Sequence, residues 1–277
     1  MSAAPPLSYR IGELRVTVVS DGEFRLDGGA MYGMVPKVRW EALDPADDRN
    51  RVRLGMHCLL VRGPSFTALL ETGIGRGWER EWDERYGILH PPSVEESLRA
   101  AGVRPEEVTH AVLSHMHFDH AGGLPHLPRA RLVVQRAELD AWKEPPAFHR
   151  ASYRPDRPVN LDGAILLEGD AEPLPGISVR RTGGHTSGHQ VVLLRSRGET
   201  ALFFGDLLPT VRHLPPLWTM AYDLVPMDVV ERKRALLEEA AAEGWWVHFY
   251  HDADPRPARV EKDGKRYVAV RGVPGAR

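Results

Sequence analysis

The sequence predicts an α+β fold in which mixed β-sheets are covered by helices. Three observations carry that expectation. Short apolar runs with strand periodicity recur along the chain, helical segments fall between clusters of them, and the second half repeats the alternation of the first. No Pro- or Gly-rich linker cuts the 277 residues, so one domain over residues 1–277, built of two similar halves, is expected.

In residues 11–20, Leu14, Val16 and Val18 alternate with Glu13, Arg15 and Thr17, the period of a half-buried strand. Asp21-Gly22 is expected to turn this strand toward Phe24 and Leu26. Residues 27–53 read as a long irregular stretch whose apolar Met31, Tyr32, Met34 and Trp40 either line a pocket or pack back on the core. Residues 56–61 and 66–70 form adjacent strands joined by Arg62-Gly63-Pro64-Ser65. A short helix occupies residues 93–102, with Ser93 as cap, Glu96 at the third position after it and Gly102 closing it. Residues 109–113 and 132–134 are strands, and 137–142 a helix stopped by Pro145-Pro146. Further strands follow at 164–167, 177–181, 190–194 and 201–204. Residues 228–242 form the longest helix, with Val229, Leu236 and Leu237 on one side and charges on the other, and 245–250 form a last strand.

Hydrophobic residues at 42% and charged residues at 27% are ordinary for a globular chain with a core to bury. The 36 Lys and Arg nearly cancel the 38 Asp and Glu, so no strong field favours a polyanion, and nucleic acid is not an expected partner. Cys58 is the sole cysteine; it excludes an intramolecular disulfide, fits a reducing compartment and reads as a buried structural thiol. The first six residues lack a basic patch followed by an apolar core, and no apolar run approaches the roughly 18 residues that span a bilayer. A cytoplasmic location without a membrane partner is expected.

The segment Ser114-His115-Met116-His117-Phe118-Asp119-His120-Ala121-Gly122-Gly123 places three imidazoles and a carboxylate within six positions, directly after the apolar Ala111-Val112-Leu113. Imidazole nitrogen and carboxylate oxygen are ligands that suit zinc and its divalent neighbours. His115 and His117 are two apart, so in an extended segment they share a face and can share an ion. Asp119 and His120 fall where the chain turns toward Gly122-Gly123, and that turn directs a second pair of ligands at a neighbouring ion. The spacing points to two metals. A dinuclear site needs further ligands, and three later strand ends offer them: Gly184-His185-Thr186-Ser187-Gly188-His189, Gly205-Asp206, and His248-Phe249-Tyr250-His251-Asp252.

This order, HxHxDH, then GHTxGH, GD and HD, closely resembles the metallo-β-lactamase superfamily, with landmarks from about Leu69 to Asp252. The resemblance implies an αββα four-layer sandwich with metals at one edge. It implies that His115, His117 and His185 hold one ion, that Asp119, His120 and His251 hold the other, and that Asp206 bridges them. His189 and His248 are the nearest rivals of His185 and His251; the family pattern leaves His189 a packing or hydrogen-bonding role, and a place inside its strand gives His248 a structural one. His57, His90, His110, His126, His149 and His213 receive no role. Glu71 stands before Thr72-Gly73 where the family has aspartate, so its support of the histidine segment is expected to be rearranged.

The chemistry implied is hydrolysis by a metal-bridging hydroxide, with Asp119 as the catalytic residue that orients the water and shuttles a proton. GHTSGHQ, GDLLPT and HFYHD resemble the branch containing acyl-homoserine-lactone lactonases and organophosphate hydrolases, and residues 28–37 are similar to lactonase-like members. Many such lactonases carry a tyrosine shortly after the bridging aspartate; Leu207-Leu208-Pro209-Thr210 has none, and Tyr222 is the nearest candidate. A lactone or related ester is therefore the expected substrate, with quorum quenching as the associated process. Met31, Tyr32, Met34, Phe118, Trp218, Met220 and Tyr222 are the expected substrate contacts. The expected cofactors are two divalent ions, zinc first, with manganese, iron and cobalt as the other metals these ligands accept. The alternatives are a phosphotriesterase, a glyoxalase II-like thioesterase, or a mononuclear iron persulfide dioxygenase, against which the full second set of ligands argues. A non-enzymatic metal sensor is a third reading, and a homodimer is left open.

Overall fold

A computed structural model describes residues 6–90 and 92–275; residues 1–5, read above for a targeting segment, lie outside the described residues. The first half of the chain builds one seven-stranded sheet in chain order: β1 (Ser8–Ile11), β2 (Leu14–Asp27), β3 (Arg51–Arg62), β4 (Thr67–Leu70), β5 (His110–Val112), β6 (Arg131–Gln135) and β7 (Ile165–Leu167). The second half builds another of seven, β8 (Ala171–Leu174), β9 (Ile177–Arg181), β10 (Gln190–Ser196), β11 (Glu199–Phe203), β12 (Trp246–His248), β13 (Ala258–Asp263) and β14 (Arg266–Arg271). Both sheets are mixed. β4 through β7 pair in parallel, as do β11 and β12, while the remaining neighbours are antiparallel. Among the described residues, seven α-helices accompany them: α1 (Gly28–Tyr32), α2 (Lys37–Trp40), α3 (Arg80–Tyr86), α4 (Val94–Ala100), α5 (Phe118–Ala121), α6 (Arg136–Lys143) and α7 (Pro226–Glu243).

Strand β10 shows how the layers form. Its side chains alternate, and both faces are buried. Val192 and Leu194 join the core shared with Val16 and Val61 of the first sheet, whereas Val191 and Leu193 pack with Leu236 and Leu237 of α7. On the first sheet's side, α4 contributes Val94 and Leu98, and α6 contributes Leu139. The result is a helix–sheet–sheet–helix sandwich. None of the helices described is long and apolar enough to cross a membrane.

Four features differ from expectation. Asp21-Gly22 does not reverse the chain: β2 runs through it, and its pairing with β3 shifts register between Ser20 and Glu23. Gly22 has φ +85°, and the buried Asp21 carboxylate accepts from Gly75 N at 2.8 Å and Val94 N at 2.6 Å, so the extra residues form a bulge. Residues 27–53 are not irregular throughout but contain α1, α2 and the start of β3. The strand at 245–250 is not the last, because a β13–β14 hairpin follows it around Asp263-Gly264, a turn pair legible in the sequence. Lys233 sits on the buried stripe of α7, at helical spacing from Val229 and Leu237, and its ammonium donates to the carbonyls of His213 at 3.1 Å and Trp218 at 2.6 Å.

Helix α4 begins as its spacing predicts. Ser93 Oγ accepts from Glu96 N at 3.3 Å, and the Glu96 carboxylate accepts from Ser93 N at 2.9 Å. Ser93→Ala removes one half of this reciprocal cap and is expected to lower unfolding stability by about 1 kcal/mol, read from urea denaturation. A midpoint unchanged within error would contradict the assignment.

Candidate metal centre

The apolar β5 is buried between β4 and β6, and the chain leaves it through a bend at Ser114 and the non-helical His115–His117 before turning into the single helical turn α5. The non-helical part carries His115 and His117, and the helical turn then carries Asp119 and His120. Gly122 and Gly123 permit the close approach that seats this segment. A Cβ at Gly122 would lie 2.0 Å from Ile74 O, and one at Gly123 2.0 Å from Thr72 O. Thr72 N then donates to His120 O at 2.8 Å.

Long-range folding brings the later strand ends to the same place. His117 Nδ1 lies 3.3 Å from His185 Nε2, and His120 Nε2 lies 3.3 Å from His251 Nε2. Asp206 stands between the two pairs. Its Oδ2 is 3.5 Å from His185 Nε2, and its Oδ1 is 3.4 Å from His120 Nε2 and 3.2 Å from His251 Nε2. Asp119 Oδ2 lies 3.4 Å from His251 Nε2. His115, His117 and His185 form one group whose ligand-capable atoms lie within 4.8 Å of one another; Asp119, His120 and His251 form a second, and His115, His120 and Asp206 a third. All seven residues are buried. His115 Nε2 and Asp206 Oδ1 have no hydrogen-bond partner, an arrangement that costs free energy unless a cation satisfies it. The donor set and the unpartnered atoms both fit divalent ions.

Neighbouring groups set which nitrogen faces the cluster. His251 Nδ1 donates to Gly55 O at 2.9 Å and His185 Nδ1 pairs with Asp223 Oδ1 at 2.8 Å, leaving each Nε2 turned inward. Glu71, at φ +58°, still reaches the histidine segment: Oε1 accepts from Ser114 N at 3.0 Å, and Oε2 lies 3.6 Å from His120 Nδ1. His189 instead bonds Thr182 Oγ1 at 2.6 Å, and His248 contacts the Tyr9 hydroxyl, so neither joins the ligand groups. His213 bonds Met31 O at 2.9 Å and stacks on Tyr32, away from the cluster. Burial holds His115 and His117 well below the ordinary imidazole range. Burial opposes charge on His251 too, but Asp206 and Asp119 outweigh it and push it up to about 9. The same balance, with Glu71 added, raises His120 well above its usual value. In Asp206, burial is outweighed by His120 and His251, which hold the carboxyl well below the usual range.

A cavity open to solvent leads to this cluster, with His117, Asp119, His185, Asp206 and His251 on its wall. Of the expected substrate contacts, Met31, Phe118, Met220 and Tyr222 line it. Three others do not. Tyr32 is a core residue, stacked on Trp40 with centroids 5.1 Å apart and donating to Asp44 Oδ2 at 2.7 Å. Trp218 packs edge-on against Tyr32, and Met34 points to solvent at 83% exposure. Helix α1 accounts for the split, because its turn places Met31 and Tyr32 in different surroundings and releases the chain at Gly33 before Met34.

Residues 53–251 match the Metallo-beta-lactamase superfamily. The chain belongs to this superfamily. An N-acyl homoserine lactonase of Bacillus cereus is 30% identical over 159 residues, 53% of this chain and 61% of that protein. The N-acyl homoserine lactonase AttM of Azorhizobium caulinodans is 29% identical over 184 residues, 60% of this chain and 66% of that protein. The chain thus spans less than two thirds of the length of these curated relatives. Among solved structures, a probable metal-dependent hydrolase from Staphylococcus aureus superposes with a TM-score of 0.90 at 29% identity, covering 95% of this chain and 99% of that one. AidC, a dizinc quorum-quenching lactonase, shares the fold with a TM-score of 0.78 at 17% identity over 96% and 97% of the two chains.

Within this superfamily member, sequence reasoning missed Leu26, Tyr86 and Ser152 on the cavity wall and Asp223 behind His185. Tyr86 ends α3, and Trp78, just before that helix, stands four residues from Trp82 as Trp82 does from Tyr86, so that all three pack along Phe118. That spacing was the available signal.

With no ion bound, the neighbouring carboxylates raise His251 and His120, so the stability these two contribute is fully present below about pH 6.5, the unfolded imidazole value. It is lost as pH rises through about 9, with His251 alone contributing on the order of 3 kcal/mol. Thermal melts of chelator-treated protein are therefore expected to fall between pH 6.5 and 9.5. A melting temperature flat across that window would disprove the electrostatic assignment.

Proposed function

We propose that this chain is a dinuclear metal-dependent hydrolase of lactones or related esters, of the N-acyl homoserine lactone type. The observation that carries the reading is Asp206, whose two oxygens face different imidazole groups at the end of an apolar-walled cavity. His115, His117 and His185 would hold one ion, Asp119, His120 and His251 the other, and Asp206 both. Zinc is the metal proposed, from a donor set of imidazole and carboxylate. Bound there, such ions would polarise a carbonyl oxygen and lower the pKa of a bound water toward about 7.

The protein's own side chains supply the rest. Asp119 lies on the cavity wall and is the group assigned to orient the attacking water and to carry its proton toward the leaving oxygen. Met31, Phe118 and Met220 offer an acyl chain an apolar wall, which removes its surface from water at roughly 25 cal/mol per Å². Tyr222 and Tyr86 bring phenolic hydroxyls to the same cavity, where they can donate to the substrate carbonyl or amide oxygen. Tyr222 is held for that task. His149 Nε2 donates to its carbonyl at 2.8 Å, and the adjacent Asp223 is anchored to His185.

Purified protein is expected to hold about two metal ions per chain and to open the ring of an N-acyl homoserine lactone, followed by proton release in a weakly buffered dye assay. His117→Ala is expected to lose an ion and more than about 100-fold in kcat/KM together. Full activity in that variant overturns the ligand assignment. Unchanged lactone alongside rapid turnover of a phosphotriester or glutathione thioester overturns the substrate class, and one iron per chain with thiol-dependent oxygen uptake overturns hydrolysis itself.

A further inference from the structure

Glu138, on α6, belongs to none of the ligand groups, yet it is fully buried. Its carboxylate accepts four hydrogen bonds. Oε1 takes Met116 N–H at 2.9 Å and the Tyr153 hydroxyl at 2.7 Å, while Oε2 takes the Thr186 hydroxyl at 2.6 Å and Gly188 N–H at 3.2 Å. Four donors use the acceptor capacity of an ionised carboxylate and offset the cost of burying its charge.

The origin of those donors gives the arrangement its meaning. Met116 lies between His115 and His117, and Thr186 and Gly188 follow His185. Tyr153 stands edge-on to the His117 ring, with centroids 4.9 Å apart and planes at 68°. One carboxylate therefore ties together the two chain segments that carry His115, His117 and His185. Gly188 makes the approach feasible, since a Cβ there would lie 2.4 Å from Glu138 N. The other group is supported elsewhere. Gly55 O holds His251, Glu71 faces His120, and the Tyr250 hydroxyl donates to the Asp119 carbonyl at 2.7 Å.

We propose that Glu138 is a positioning residue that sets the affinity of one ion site, that of His115, His117 and His185, and leaves the other site unaffected. The inference rests on the dinuclear reading above. Gln is the informative replacement because it keeps the volume of Glu138 but turns one oxygen into an NH₂ donor. If the NH₂ replaces Oε1 it faces Met116 N–H, and if it replaces Oε2 it faces Gly188 N–H. A backbone N–H cannot turn round to accept, so either orientation opens one of the two segments.

Zinc affinity is measured by competition with a chromophoric chelator in wild-type protein and in the His251→Ala and His117→Ala backgrounds, each with and without Glu138→Gln. In His251→Ala, where the His115, His117 and His185 group is intact, Glu138→Gln is expected to weaken zinc binding about 10- to 100-fold. In His117→Ala, where the Asp119, His120 and His251 group is intact, it is expected to change binding less than about twofold, the precision of such a competition and far below that outer-shell effect. Thr186→Val keeps the carboxylate and removes one donor; it is expected to shift the same site about 10-fold and serves if Glu138→Gln does not fold. Wild-type protein that takes up fewer than two zinc ions overturns the dinuclear reading and this inference with it. Two ions in the wild type, with equal losses in both backgrounds or with none in either, overturn this inference alone.

Discussion

The structure depends on one constraint: a cluster of imidazoles and carboxylates is buried together at the ends of strands, where little of it reaches water. His115, His117, Asp119, His120, His185, Asp206 and His251 are all buried, and their ligand-capable atoms stand a few ångströms apart. Protons relieve part of the electrostatic cost, which is why His120 and His251 are raised while Asp206 is lowered. Protons satisfy the cluster incompletely, for His115 Nε2 and Asp206 Oδ1 still lack partners. A pair of divalent cations would satisfy both atoms and displace the protons on binding.

The scaffold is arranged to bear this cost. Parallel β4, β5 and β6 are buried on both faces and end at the same edge, so the rigid β5 sets where His115 begins. Around the cluster, two of the inward nitrogens are backed by fixed acceptors, with Gly55 O behind His251 and Asp223 behind His185. These acceptors come from β3 and from the segment before α7, far apart in sequence. The two candidate ion groups therefore have different supports, with Glu138 serving one, Gly55 and Tyr250 serving the other, and Glu71 reaching both, through Ser114 beside His115 and opposite His120.

The cavity follows from the same edge. Apolar Met31, Phe118 and Met220 border the polar cluster, so the cavity has an apolar wall and a polar end. Tyr222 enters on a segment pinned at Asp223 and at its own carbonyl, which couples the phenol to the same imidazole group.

Much of this was legible in the chain. Strand periodicity located most elements, the Ser93 cap located α4, and six consecutive positions from His115 to His120 declared a ligand cluster because its members lie next to one another in sequence. The weakly apolar β13 and β14 escaped because β13 buries only Ala258 and Val260 and β14 buries no residue fully, and β2 escaped as a bulged strand because Asp-Gly is also a turn signal. Residue identity alone determined the chemistry of the donors. The motif pattern already preferred His185 to His189 and His251 to His248, and tertiary structure decided what turns each ring inward and which tyrosine reaches the cavity, Tyr222 and Tyr86 but not Tyr32. The physical reason is that side-chain direction depends on backbone geometry and on partners distant in sequence, such as Asp223, Gly55 and Asp44, which no local pattern encodes.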